Sequence, residues 1–479
     1  MNKKILYLIL LLLLLLPIRI NALKENILLY NDNPTKYYVY NSVIVDEDKN
    51  IVVVGYSIDD ATGENKSIIA KYKQDGTLIW EKAFLTTDRD NGAYGVTSTG
   101  DGYIVVGGSH VKTSDDDTDT SFDSYIYKIS KDGEVVWHKE ESTIGSDRFE
   151  KIVPIGEGYL TVGYNTSEYF IPSGDYVDKN AYARVIDGEG NKVWDNTWGG
   201  NNLDWFYNAA VDGNSFLAVG YTSSTDISSI SNFGEKDGLV VKYNSDGSEA
   251  WAKVYGTIKN DEIHNIYVLE DGYLLVGKSN LETTGTFSGH SYWFLKINKD
   301  GDIVWDKNMH MGDDDAWAII PKDDKIYVFG YSMTNEENQM YEATVSVINP
   351  ATGAIENEQY TVKKSTPTLF RDAVAAEDGF IAVGFTRVLG STTSDIFAAP
   401  VIVKYSFQED TPGDDSHGSV DPLPPTEEQT EQPSEQPVQK PQPQEENPKT
   451  GAFLTSGFVI LILVGLLIIA IRKKNTFNI

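Results

Sequence analysis

The sequence contains no cysteine. That excludes disulfides, thiolate nucleophiles and thiolate metal ligands, so stability has to come from core burial. Histidine is sparse, six residues in all, and no two form a His-x-x-x-His pair or its equivalent. Basic residues are outnumbered 40 to 71, for a formal net charge of -31. A chain of that sign lacks the basic face that displaces counterions from a phosphate backbone, so no nucleic-acid partner is expected. The balance suits an extracellular, salty environment. No Gly-x-Ser-x-Gly elbow or phosphate-binding loop occurs. Aromatics are abundant instead, with 28 Tyr, 18 Phe and 9 Trp, and they favour a β-rich fold. The 479 residues allow one large repeat domain or two to three ordinary ones.

The two ends read as export and anchoring devices. Lys3 and Lys4 precede an apolar run over 5–16, Pro17 ends it, and Ala22 offers a small residue for cleavage. This is the layout of a signal peptide over 1–22. Residues 452–471 are apolar and uncharged, long enough for a transmembrane helix. Arg472, Lys473 and Lys474 follow, so the tail 472–479 is expected to be cytoplasmic and the rest of the chain external. Residues 409–446 are rich in Pro, Glu and Gln. Such a segment cannot bury a core and reads as a disordered stalk, with a reach on the order of 100 Å if extended at about 3.1 Å per residue.

Between stalk and span stand Asn447, Pro448, Lys449, Thr450 and Gly451. Pentapeptide, apolar span and basic tail together resemble the cell-wall sorting signal of Gram-positive surface proteins, with Asn447 in place of the usual leucine. The resemblance implies two partners, a sortase and the cell-wall peptidoglycan. The sortase would cleave between Thr450 and Gly451 and pass the Thr450 carbonyl, through a thioester, to an amine of the wall precursor. A plain single-pass membrane protein with an external N-terminal domain is the simpler alternative.

Residues 23–408 repeat. A short apolar strand ends in glycine at Gly55, Gly107, Gly163, Gly220, Gly277, Gly330 and Gly384. An Asp-Gly or Glu-Gly turn precedes, by four residues, each of Trp80, Trp137, Trp194, Trp251 and Trp305. In the sixth unit Asn349 to Gly353 stands for the turn and Asn357 takes the Trp position. A period of fifty-odd residues with tight turns predicts an all-β propeller. In the third unit the strands fall at 149–154, 159–164, 181–186 and 192–197. The last unit lacks its fourth strand, and an extra strand at 27–30, with Leu29 in the Trp position, supplies it. The count is seven four-stranded blades, closed by the N-terminal strand so that no edge is left open. The pattern resembles a broad group of secreted bacterial propeller repeats, which implies a fold and a secreted location but no one activity.

Candidate chemistry is thin. Ten residues after each Trp stands an Asp, at Asp90, Asp147, Asp204, Asp261 and Asp315. These carboxylates either fix the turns between blades or form a ring that suits Ca²⁺ or a sugar; no cofactor is firmly implied. The acidic run 114–119 lacks the glycine and the twelfth-position acid of a calcium loop. Arg89, Arg148 and Arg371 are placed to lie near one face, which leaves a sialidase-like site open without further support. Each repeated Trp reads as packing between blades. The long, variable connections and the Asp series share one face, and the chain enters and leaves on the other. The expected function is a surface-anchored binding or adhesion module whose variable face meets an extracellular protein or glycan. A surface enzyme acting on glycans or glycopeptides, sialidase-like or lyase-like, and a passive surface-layer component are the alternatives.

Overall fold

A computed structural model describes residues 23–31, 37–59, 64–87, 91–109, 122–141, 146–166, 179–230, 233–280, 289–309, 313–335, 340–361, 366–389 and 396–407. The expected signal peptide, stalk, sorting motif, membrane span and tail lie outside these residues, as do Arg89, Asp90 and the acidic run 114–119. The described residues are all-β, built from short antiparallel strands.

The chain opens with β1 (Leu23–Leu29). A first group holds β2 (Tyr37–Val45), β3 (Ile51–Asp59), β4 (Glu64–Tyr72) and β5 (Leu78–Thr87). The next holds β6 (Asn91–Thr99), β7 (Gly102–Ser109), β8 (Asp123–Ser130) and β9 (Val135–Glu141). Then come β10 (Arg148–Ile155), β11 (Gly158–Asn165), β12 (Asn180–Ile186) and β13 (Lys192–Trp198). They are followed by β14 (Asp204–Asp212), β15 (Ser215–Thr222), β16 (Asp237–Tyr243) and β17 (Glu249–Tyr255). Two further groups are β18 (Asp261–Leu269), β19 (Gly272–Ser279), β20 (Ser291–Asn298) and β21 (Ile303–Met309), then β22 (Asp315–Lys322), β23 (Lys325–Asn335), β24 (Met340–Ile348) and β25 (Ile355–Thr361). The last is β26 (Thr368–Ala376), β27 (Gly379–Leu389) and β28 (Ile396–Phe407).

Within each group the strands pair in sequence order, as an antiparallel meander. β1 pairs antiparallel with β28, from Leu23 opposite Phe407 to Leu29 opposite Ile402. One parallel pair, Tyr37 with Ala398, ties the last group to the first. The first strands of successive groups touch one another, and β26 touches β2 in turn. Apolar clusters form between facing sheets: Leu160, Val162 and Ala183 pack with Phe206, Ala218 and Val241. Val53 and Ala70 pack with Ile381, Val383 and Ile402, which joins the two ends of the domain. This arrangement of four-stranded meanders, face to face around their first strands, is that of a β-propeller.

At the outer strands, the left-handed glycine of one turn lies against the tryptophan of the preceding sheet. A Cβ on Gly190 would stand 2.5 Å from Trp137, and one on Gly247 would stand 2.7 Å from Trp194. The Trp residues therefore pack between sheets, as their period predicts. One detail differs. Lys71, Lys128, Lys242 and Lys296 pair with Trp80, Trp137, Trp251 and Trp305, but their counterpart Lys404 pairs with Asn26, not Leu29. A bulge between Ile27 and Leu29 shifts the register, and Leu28 is the residue that lies against Gly76.

Each first strand carries an extra residue, a β-bulge, opposite the repeated glycine. In β10 it is Glu150, since Phe149 pairs with Gly163 and Lys151 with Val162. In β14 it is Tyr207, between the pairs Phe206–Gly220 and Asn208–Val219. The bulged strand bends its preceding carbonyl onto the glycine. A Cβ on Gly220 would lie 1.7 Å from the Trp205 carbonyl oxygen, and one on Gly55 would lie 1.9 Å from that of Val39. The repeated glycine is thus required by close backbone approach. Gly220→Ala should destabilise the domain by about 3 kcal/mol or more through overpacking. Gly100→Ala, where a Cβ meets nothing within 4 Å, should be near neutral, and urea unfolding of the two variants checks this.

Candidate functional site

The seven bulged residues are Asn41, Tyr94, Glu150, Tyr207, His264, Trp317 and Arg371. All of them line one cavity of about 360 Å³ among the first strands, within the range of small-molecule sites. Because six of the bulges fall in the first half of their strand and Asn41 at the middle of β2, the cavity lies toward the end where the long connections join the strands.

The charges in this cavity form a short account. Arg148 donates from Nε to Glu150 (2.8 Å) and also reaches it through Nη2. Its guanidinium lies over Tyr94 (4.2 Å) and Trp205 (4.9 Å), and Trp205 Nε1 donates to the same Glu150 oxygen at 3.1 Å. Lys151 reaches Asp372 at 3.0 Å, a contact between β10 and β26, which are not neighbours. Asp372 also accepts from Ser42 Oγ (2.7 Å) and Val43 N (3.2 Å). Arg371 is left over. Its guanidinium sits 4.2 Å over the Trp317 ring and 5.5 Å over Phe385, and no ion pair or hydrogen bond engages it among the described residues.

His264 is buried on one flank. Its ring stacks on Trp317 at 4.1 Å and meets the edge of Tyr207. Nδ1 stands 2.7 Å from Asp315, and Nε2 stands 3.3 Å from Glu262. Burial works against the charged imidazole, but Asp315 and Glu262 outweigh it and raise its pKa above the ordinary 6.5. Burial alone would raise Glu262, yet His264 and Lys278 hold it well below the usual carboxylate range. Tyr207 donates to Glu262 at 3.0 Å, and burial drives its phenol well up. Lys179, over the rings of Tyr164 and Trp205, is lowered to about 8 by burial and then by the charge of Arg148.

No protein-family model matches the chain, and no curated protein matches it. Solved structures do. The WD40 domain of Neurospora crassa Pan2 is 9% identical with a TM-score of 0.46, over 77% of this chain and 91% of that one. The neuraminidase-like protein of subtype N11 from the flat-faced bat virus A/flat-faced bat/Peru/033/2010 is 8% identical with a TM-score of 0.41, over 80% of this chain and 93% of that one. The Pyrococcus horikoshii acylaminoacyl peptidase is 12% identical with a TM-score of 0.40, over 76% of this chain and 52% of that one. At this level no activity, ligand or partner carries over.

The Asp series divides. The backbone N–H of Asp147, Asp204 and Asp261 each donates to the carbonyl just before the third strand of the preceding sheet. Their side chains are buried and accept from the sheet each Asp opens or from the connection leading into it. Asp147 accepts from Thr166 N (3.0 Å), Asp204 from Ser224 Oγ (2.8 Å) and Gly200 N (3.0 Å), and Asp261 from Thr257 N (2.6 Å). In the next unit this role belongs to Asp314, which donates to the His290 carbonyl and accepts from Met333 N. Asp315, one residue on, faces His264 instead, because that connection is one residue shorter. In the first described connection Asn91 holds the corresponding place, and its side chain donates to the Asn65 carbonyl. The described residues hold no group of three His, Cys, Asp or Glu placed for a metal ion. Arg148 and Arg371 do share the cavity. The bulged residues were the signal that spacing from Trp missed: thirteen residues before the glycine (fourteen in the first unit) the repeat stops repeating.

Burial pushes Asp204 up to about 6, against the hydrogen bonds from Thr222, Ser224 and Gly200. A carboxyl raised on folding adds stability that is complete below its unfolded value, about 4, and lost as pH rises through about 6. Asp204→Asn should therefore flatten the dependence of the urea midpoint on pH between about 4 and 6. Parallel curves for variant and parent would show that Asp204 ionises without coupling to folding.

Proposed function

We propose that this chain is a surface-displayed binding module: a seven-bladed propeller, closed by β1, that takes an extracellular ligand at the mouth of its central cavity. One observation carries the reading. Positions that serve the fold repeat from unit to unit, as the glycines and tryptophans do. The bulge repeats in place but not in residue, running Asn41, Tyr94, Glu150, Tyr207, His264, Trp317, Arg371. The fold asks for a bulge there, not for those side chains, and seven polar and aromatic groups of six kinds lining one cavity suit recognition.

Closure is supported by the pairing of β1 with β28 and by the contact of β26 with β2. Export through 1–22 and wall anchoring through 447–451 complete the reading, with the cavity turned away from the cell.

Two measurements test it. The full chain, displayed on a Gram-positive host and probed with glycan and matrix-protein arrays, should bind a ligand, and Trp317→Ala should abolish that signal without loss of display. Binding that survives Trp317→Ala would place recognition elsewhere. Thr450→Ala should move the chain from the cell-wall fraction to the membrane fraction; unchanged fractionation would remove the sortase step.

A further inference from the structure

Arg371 is an uncompensated cation in a chain of net charge -31. Of the charged groups lining the cavity, Arg148 is matched by Glu150 and Lys151 by Asp372. The nearby acids Glu262 and Asp315 are taken by His264, Lys236 and Lys278. Arg371 has no carboxylate within ion-pair distance among the described residues. It is held rigidly all the same. The imidazole of His264 stacks on the Trp317 ring nearly parallel, at 4.1 Å and 15°. The guanidinium stands 4.2 Å from the same ring. Two groups so close cannot share one face, so the indole is clamped between them. A second donor is idle beside it: Trp317 Nε1 is buried with no acceptor among the described residues. A buried donor without an acceptor is costly, and a guanidinium fork fits a carboxylate through two parallel hydrogen bonds.

The remaining lining has a different character. Tyr56, Tyr94, Trp205 and Tyr207 bring aromatic side chains to the lining, while Asn41, Asn208, Glu150 and Asp372 offer polar edges able to bond hydroxyl groups. Flat apolar faces beside polar edges match a pyranose ring, which carries C–H groups on its faces and hydroxyls around its rim.

Resting on the binding reading above, we infer that the cavity takes a carboxylate-bearing saccharide, its carboxylate on Arg371 and its ring against the aromatic side chains. The carboxylate would supply the acceptor that Arg371 lacks, and a neutral sugar would leave that cation unpaired.

The test is calorimetric titration of the full chain in detergent with D-galacturonate, D-galactose and inorganic phosphate. The two sugars differ in one group, carboxylate against hydroxymethyl. Galacturonate should bind at least about tenfold tighter than galactose or phosphate, as loss of one charge-assisted pair implies. Arg371→Met should erase that preference, and Trp317→Phe, which shrinks the aromatic face under the guanidinium, should weaken galacturonate several-fold. Arg371→Lys, with charge but no planar fork, gives the same reading should the Met variant fail to fold, and should weaken galacturonate several-fold. Equal binding of the two sugars, phosphate binding as tight as galacturonate, or no binding of galacturonate overturns the proposal. Array binding that persists and depends on Trp317 would then leave the binding-module reading standing; its absence would remove both.

Discussion

A backbone contact organises this domain: the carbonyl two residues before each bulge presses on the glycine of the neighbouring strand. At Gly220 and Gly163 the space a side chain would need is already held by the carbonyl oxygens of Trp205 and Arg148. The bulge cannot form beside any larger residue. Without it, the first strand would keep a regular two-residue alternation, and the residue now turned into the cavity would take a place in the ladder. The same contact recurs at Gly55, Gly277, Gly330 and Gly384. It turns a repeated structural element into a set of independent side-chain positions.

What those positions hold is balanced electrostatically with one exception. Arg148 with Glu150 and Lys151 with Asp372 are partly buried pairs with further hydrogen bonds to their carboxylates, which is the condition under which buried charge is tolerated. His264 is flanked by two acids, and Lys278 lies near both. Arg371 has aromatic faces but no acid partner among the described residues. The asymmetry gives the cavity a direction, with charge demand on the β22–β26 side and flat aromatic surface around β14.

The outer and inner parts of the sheets follow opposite rules. On the outside, Trp137 and Trp194 pack on the turn glycines of the next sheet, a fit that works best when every unit is alike. Buried Asp147, Asp204, Asp261 and Asp314 likewise perform one task four times, donating their N–H to the preceding sheet and accepting N–H and hydroxyl donors from their own sheet or the connection into it. Inside, likeness is abandoned. The Asp series therefore belongs with the scaffold, apart from Asp315, which meets His264 because its connection is one residue shorter.

The sequence by itself determined the strand count, the tight turns and the packing role of the tryptophans, because each depends on local period, and periods are visible in one dimension. The strands of the third unit fall at 148–155, 158–165, 180–186 and 192–198, within a residue or two of their expected places. Register was beyond its reach. Leu29 stands three residues from Asn26, which takes the Trp-equivalent place opposite Lys404, and Asp315 is displaced by a shortened connection; such slips leave no trace in composition. Only the tertiary structure decided which residues meet in the cavity. Asn41 and Arg371 stand at opposite ends of the chain, and Lys151 finds Asp372 across the domain, because seven strands far apart in sequence bring their bulges to one place.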